Sequence, residues 1–532
     1  MNVDKGIFAY LTDWLNEPEK ILLEYYSARF TQSEFKEYVL KTAEYLKKSG
    51  FGRAPIGIML PNIPEAFFVL YAASAAGGVA NLINPRLPLR SLKRILERTG
   101  TRVLFLYDKL YPSFAEALTE AGVKTVLCSP LYFRKELKLL YKLTKIKENV
   151  DYFEEILKYP PAVPEEGLGS FAAAYIHSGG TTGEPKTAVI SAKALNALEE
   201  AVVTSVHPDP ATIPADGAML MMLPLFHGFG LGIAAHTVAC RIRVVMEPRF
   251  IPGEAARMIK KHRVTHLAGV PSMYRKLCAE RAFGGKALKN LSRVFCGGDV
   301  LSPEVKRAFD SRIAAAGGTA EILEGYGLTE TASVVTVNPA GKTKPRSQGR
   351  PLNGNLVRIT DGNKILPAGE TGEIEISAVS LMSGYLGDDD ATARAIYTDS
   401  SGRRWLKTGD TGRLDPDGYL YFSERAKRSL KIAAINIFPS EIEAVAATVK
   451  GVSGACAARK SDRNGKPFVC LYVEIAPGAS ADQKLKNALK SVIASEIVRY
   501  AVPREIVFVD KLKYTAMGKV DYLYYESESN VE

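Results

Sequence analysis

Ten consecutive positions, HSGGTTGEPK at 177–186, combine Gly179, Gly180 and Gly183 with the hydroxyls of Ser178, Thr181 and Thr182 and the ammonium of Lys186. Glycine lets backbone N–H groups close around an anion, hydroxyls add donors and lysine adds charge, so the composition suits phosphate. The preceding FAAAYI reads as a strand feeding the loop. A P-loop of the GxxxxGK[ST] kind is excluded, because Pro185 stands before Lys186 and keeps the lysine from opening a phosphate-capping helix. Taken by itself, the run could also be only a flexible turn.

Three further clusters carry polar chemistry. GYGLTE (325–330) offers Tyr326 for stacking on a base, the hydroxyl of Thr329 and the carboxylate of Glu330. TGD (408–410) sets Asp410 where an acid could grip vicinal hydroxyls, as acids hold ribose in dinucleotide sites. GK at 518–519 places Lys519 far along the chain from the loop. Plainer readings stay open for these two: Asp410 could cap a turn and Lys519 could be solvated.

The elements that must hold these residues are legible in the patterning. Between about 30 and 130, charged amphipathic stretches such as SEFKEYVLKTAEYLKKSG (33–50) alternate with short apolar runs such as PIGIML (55–60) and TRVLFLYD (101–108). The alternation returns at 195–204, 242–246, 253–262 and 264–270, which predicts parallel sheets covered by helices. After about 350 the texture turns to short β-rich runs, with DG turns at 361–362 and 417–418. From about 425 a basic stretch, RAKRSLK, leads to a smaller unit with a helix (440–450), a strand (469–475) and a late helix (488–499). The expected fold class is α/β: a large multi-subdomain N-terminal part with helix-covered β-sheets over 1–425, plus a small compact α+β C-terminal domain over 426–532.

Composition removes other classes. The 532 residues are 46% hydrophobic and 24% charged, which allows several packed cores and excludes a disordered or fibrous chain. A net charge of +11 over this length supports weak attraction to anions and no nucleic-acid partner. The six cysteines include no CxxC pair, so thiols in a reducing, cytoplasmic setting are expected. The N-terminal stretch lacks the basic-then-apolar layout of a secretory leader. Ala66 to Ile83 is apolar but broken by Ser74, Gly77, Gly78 and Asn81, and so reads as a buried helix, a break and a strand. The lysine-rich FRKELKLLYKLTKIK (133–147) reads as a surface helix burying one stripe that includes Leu140, Leu143 and Ile146; any membrane contact would be peripheral.

In this order, the motifs resemble those of the adenylate-forming superfamily of acyl- and aryl-CoA synthetases, amino-acid adenylation domains and luciferases. The resemblance also takes in PNIPEAFF (61–68), PLFHGFGLG (224–232), GVPSMY (269–274), GRPLNG (349–354), GEIEI (373–377), FPSEIE (438–443) and YAVP (500–503). It implies that Ser178, Gly179, Gly180, Thr181, Thr182, Gly183 and Lys186 bind the β- and γ-phosphates of ATP. It implies further that Tyr326 lies on the adenine, that Thr329 touches the α-phosphate, that Glu330 holds Mg²⁺, and that Asp410 takes the ribose with Arg425 nearby. Gly298 and Gly325 join the nucleotide-binding set, and Lys519 would bridge the substrate carboxylate and the α-phosphate.

A carboxylic acid is ionised at neutral pH, so its attack on phosphorus requires charge neutralisation and no general base. The inventory has lysines and acids and no evident His/Asp dyad, which agrees. His227 stands where amino-acid adenylation domains carry an aspartate for the substrate ammonium, which favours a plain carboxylic acid and makes His227 a candidate substrate contact. The glycines after it leave room for an apolar fatty or aryl acid, or serve close helix packing. The implied reaction forms acyl-AMP and then acyl-CoA, with coenzyme A as cosubstrate. Family members rotate the C-terminal domain between the two steps, about a segment that here contains Arg428. Glu424 replaces a glycine the family usually has before an arginine, and Ala434 replaces a glycine usual beside the pantetheine arm, which keeps transfer to a carrier-protein phosphopantetheine or to an amine open. A luciferase-like oxygenase and an inactive binding protein are the remaining readings.

Overall fold

The computed structural model describes residues 2–87, 89–146, 150–177, 186–362, 364–425, 430–432, 435–437, 439–462, 467–496, 501–515 and 520–527. The loop residues Ser178, Gly179, Gly180, Thr181, Thr182 and Gly183, the catalytic candidate Lys519, and Arg428 and Ala434 lie outside the described residues, as do the side chains of Glu424 and Arg425.

The chain divides into two compact units. The first comprises Met1–Leu301, Val305–Leu356 and Ser377–Leu406; the second comprises Ser302–Glu304, Val357–Ile376 and Lys407–Glu532. Among the described residues, the first unit holds two large sheets. One runs in the order Gly384–Tyr385, Thr187–Ser191, Ala172–His177, Val79–Leu82, Pro55–Met59, Val103–Tyr107, Lys124–Cys128 and Asp151–Tyr152. It is parallel from Ala172–His177 onward, and its other end is a pair of antiparallel strands. The other sheet has a parallel centre in which Ala218–Met221, His266–Gly269, Arg293–Cys296 and Ile322–Gly327 lie side by side. The alternation of amphipathic and apolar runs thus reports helices laid over parallel strands, because strands buried on both faces need no polar positions.

Individual elements form for local reasons. The helix Gln32–Lys48 opens with a reciprocal cap in which the Glu34 N–H donates to Thr31 Oγ1 and the Thr31 N–H donates to Glu34 Oε2. The apolar run at 66–83 is the wholly buried helix Pro64–Ala75 and the strand Val79–Leu82, joined through Gly77 at φ +82°. No helix among the described residues is long and apolar enough to cross a membrane.

The lysine-rich segment departs from expectation. Its helix, Lys138–Thr144, buries Tyr141, while Leu139 and Leu143 are 72% and 74% exposed and Leu140 is exposed too. Ile146 packs partly buried against the neighbouring core. In a seven-residue helix one aromatic ring fills the available contact, and the leucine stripe is left outside.

In the second unit, Val452–Ser461, Pro467–Ile475 and Glu505–Val509 form a three-stranded sheet. Its alternation sends Ala457, Val469, Leu471 and Val473 toward the helices Pro439–Ala446 and Gln483–Glu496, and Cys456, Ala458, Cys470 and Tyr472 toward Tyr525. The DG pair at 417–418 closes the hairpin between Arg404–Leu414 and Leu420–Arg425, with Gly418 at φ +79°. None of the six cysteines forms a disulfide.

Candidate active site

Lys186 enters the first sheet one residue before Thr187–Ser191, and its neighbour there is Gly384–Tyr385, in register Tyr385 with Ala188 and Gly384 with Val189. This pairing brings the Lys186 ammonium to 4.7 Å from the centre of the Tyr385 ring. The Tyr385 hydroxyl in turn donates to Glu330 Oε1 at 2.8 Å. Burial and the Glu330 carboxylate both push the Tyr385 phenol well above its ordinary pKa, so it remains a proton donor to that carboxylate. The Glu330 backbone is held as well, by the Met382 N–H at 2.8 Å. The end of the loop and the GYGLTE acid, 144 positions apart by number, therefore share one tyrosine.

The base of the loop is equally well defined. His177 ends its strand with Nε2 2.7 Å from Asn81 Oδ1 and Nδ1 3.0 Å from Thr187 Oγ1. The Asn81 amide nitrogen donates to Thr99 and Thr101, leaving its oxygen to accept, so the imidazole proton is on Nε2 and the Thr187 hydroxyl donates to Nδ1. Burial lowers the His177 pKa to about 4, with Arg98 adding to the effect, and the ring stays neutral. A neutral histidine bonded at both nitrogens anchors the point where the glycine-rich run begins.

The remaining candidates of this unit collect at the C-terminal ends of the second sheet's parallel strands, where open α/β sheets take ligands. Cys296 and Glu324 are cross-strand partners, so Gly297–Gly298 and Gly325–Tyr326 follow side by side. A Cβ at Gly297 would stand 3.3 Å from Gly325 O and 3.5 Å from the Phe229 ring, and Gly298 is at φ +80°. Tyr326, Thr329 and Glu330 are each half-buried. The short turn Thr329–Thr331 ends at Ala332 with φ +59°, a left-handed conformation unusual for alanine.

His227 caps the helix Gly228–Ala239, Nδ1 accepting the Phe229 N–H at 3.3 Å. The glycines after it serve packing: a Cβ would lie 2.3 Å from Ala332 O at Gly228, 2.1 Å from Pro224 O at Gly230 and 2.3 Å from Ser333 Oγ at Gly232. The close approach expected of them is present, and it seats the start of this helix against the turn carrying Thr329 and Glu330.

Asp410 belongs to the second unit. It is buried, at 3% exposure, in the strand Arg404–Leu414, opposite Arg425 in the antiparallel register. Gly409 at φ +67° kinks the strand, its N–H donating to Glu373 Oε1 at 3.3 Å, and the Asp410 N–H donates to Thr408 Oγ1 at 3.0 Å. Asp410 is thus a strand residue and not a turn cap.

Tyr385 and the His177–Asn81–Thr187 set are the residues that reading the sequence missed. Nothing in SGYLGDDD marks Tyr385, and only strand pairing gives it a partner.

Comparison with known proteins identifies the family and the fold. The AMP-binding enzyme family model matches residues 12–386, and that of the AMP-binding enzyme C-terminal domain matches 441–519. The long-chain-fatty-acid–CoA ligase of Bacillus subtilis is 27% identical, over 97% of this chain and 93% of its own. The fatty acid–[acyl-carrier-protein] ligase ScoC of Streptomyces coeruleorubidus is 26% identical, over 90% and 88%. The crystal structure of ATP-bound MatB from Rhodopseudomonas palustris superposes with a TM-score of 0.83 at 22% identity, covering 99% of each chain.

Proposed function

The chain belongs to the AMP-binding enzyme family, and we propose from that premise that it activates an apolar fatty or aryl carboxylic acid on ATP and passes the acyl group to coenzyme A. It is an AMP-forming acid–CoA ligase. In the first step a carboxylate oxygen attacks the α-phosphorus, the bond to the β-phosphate breaks and pyrophosphate leaves. In the second the CoA sulfur, giving its proton to solvent, attacks the acyl carbon and AMP leaves.

The observation that carries the adenylation role is the Lys186–Tyr385–Glu330 cluster beside the ends of the parallel strands. Lys186 and the loop Ser178–Gly183 hold the β- and γ-phosphates, Tyr326 stacks on adenine with Gly298 and Gly325 allowing close approach, and Thr329 contacts the α-phosphate. Asp410, with Arg425, takes the ribose, and Lys519 draws the two anions together. Glu330 presents carboxylate oxygens, the donor type Mg²⁺ prefers, and Tyr385 orients them; the bound ion would neutralise phosphate charge. His227, with no carboxylate at its position, disfavours a free amino acid. Residues 1–425 form the ATP- and acid-binding domain in this reading, and 426–532 the mobile domain carrying Lys519.

A panel of carboxylic acids screened for exchange of labelled pyrophosphate into ATP tests the first step, with CoA consumption in the same tubes testing the second. Exchange with fatty or aryl acids and none with free amino acids is expected; exchange with no acid at all overturns the reading. Ala434 and the carrier-protein ligase among the relatives support a second reading in which the acceptor is a carrier-protein phosphopantetheine or an amine. Exchange without CoA consumption would select it.

A further inference from the structure

Of the six histidines in the chain, three meet a cysteine away from the site described above. His207 closes the helix Ala192–Val206, His236 and Cys240 lie one turn apart at the end of the helix Gly228–Ala239, and His266 begins the strand His266–Gly269. All four are buried. The His207 and His236 rings stack with centres 5.5 Å apart, and the His266 ring is 5.7 Å from that of His207.

We propose that His207, His236 and Cys240 bind one zinc-type divalent cation, a nitrogen–sulfur site that ties the ends of two helices together beside the His266 ring.

Ligand spacing is the first support. One ligand atom each from His207, His236 and Cys240 lie within 4.8 Å of one another, and Cys240 Sγ is 3.6 Å from His236 Nδ1. Bond lengths of about 2.3 Å to sulfur and 2.0–2.1 Å to nitrogen put the edge of a tetrahedral site at about 3.5 Å, so the sulfur–nitrogen pair is already at coordination distance.

Unmet hydrogen bonding is the second. Both ring nitrogens of His207 and Nε2 of His266 are buried without a hydrogen-bond partner. A buried polar atom so left is costly, and apolar side chains would fill the same volume without that cost. A cation takes up the lone pair of one His207 nitrogen, while the ring's other nitrogen keeps its proton.

The electrostatics agree. Burial lowers the His207 pKa to about 4 and the His236 pKa to about 3, so both imidazoles are neutral and able to ligate. Burial raises the Cys240 thiol to about 12, so binding expels its proton to solvent as the metal–sulfur bond forms. Arg293 is the nearby cation acting on the cluster, and the thiolate offsets it. His207 and Cys240 are C-terminal caps of their helices, where the macrodipole favours positive charge.

The test is a titration of the chelator-stripped full chain, without nucleotide, with ZnCl₂ and with CoCl₂. One equivalent of Zn²⁺ should bind, and Co²⁺ should show a thiolate charge-transfer band with the intense visible bands of tetrahedral coordination. Cys240→Ser should abolish the charge-transfer band, and His207→Ala should weaken binding by at least about 100-fold. Failure of the wild-type chain to take up one equivalent, a cobalt spectrum without the thiolate band, or wild-type affinity in Cys240→Ser would each overturn the proposal. The wild-type spectrum decides the question even where a variant fails to fold.

Discussion

Tyr385 is where two distant polar residues become one group, its ring under the Lys186 ammonium and its hydroxyl on Glu330. Tyr385→Phe keeps the ring and removes one hydrogen bond to a charged acceptor, worth about 1.5–3 kcal/mol. We expect pyrophosphate exchange to fall by about 10- to 100-fold while the fold is retained; an unchanged rate would detach Tyr385 from the chemistry. If Lys519 acts on developing charge as proposed, Lys519→Ala should reduce acyl-AMP formation by about 10²-fold or more and should spare thioester formation started from synthetic acyl-AMP. Loss of both half-reactions would point to a folding role. The types of these candidates were legible in the motifs. Tyr385 was not, because one tyrosine among 25 acquires a role only from the strand it pairs with.

At the scale of elements, the helix Gly228–Ala239 is fitted to the Thr329–Thr331 turn through glycines with no room for a methyl group. Gly228→Ala would drive a Cβ to within 2.3 Å of Ala332 O. The overpacking should cost about 1–3 kcal/mol, read as a lower urea midpoint. Adenylation should fall with it, since the displaced turn carries Glu330. A variant with wild-type midpoint and rate would contradict the packing argument. Alternation and turn signals foretold the helices and strands themselves. The stripe on Lys138–Thr144 was misread because periodicity identifies a face without saying whether anything covers it.

For the molecule as a whole, His177 couples stability to pH. Its folded pKa of about 4 lies below the ordinary 6.5, so the unfolded chain binds the extra proton between those values. The contribution is complete above about pH 6.5 and is lost progressively as pH falls toward 4, on the order of 2–3 kcal/mol. Thermal unfolding of the wild type should therefore weaken between pH 7 and 4 more steeply than that of His177→Gln; parallel curves would refute the assignment.

Local chemistry decided much of this protein before folding. The glycine and hydroxyl run, the ordered motifs and the period-2 and helical patterns are properties of neighbours in the chain, and they sufficed for the α/β class and the phosphate chemistry. Tertiary structure alone decided which distant residues share a proton or a charge: Asn81 with His177, Tyr385 with Glu330, Glu24 with His262 at 2.6 Å. It also assigned the glycines at 228, 230 and 232 to close packing and brought His207 to Cys240. Such pairings depend on strand order and on the space left between packed elements, and residues far apart in the chain carry no local mark of either.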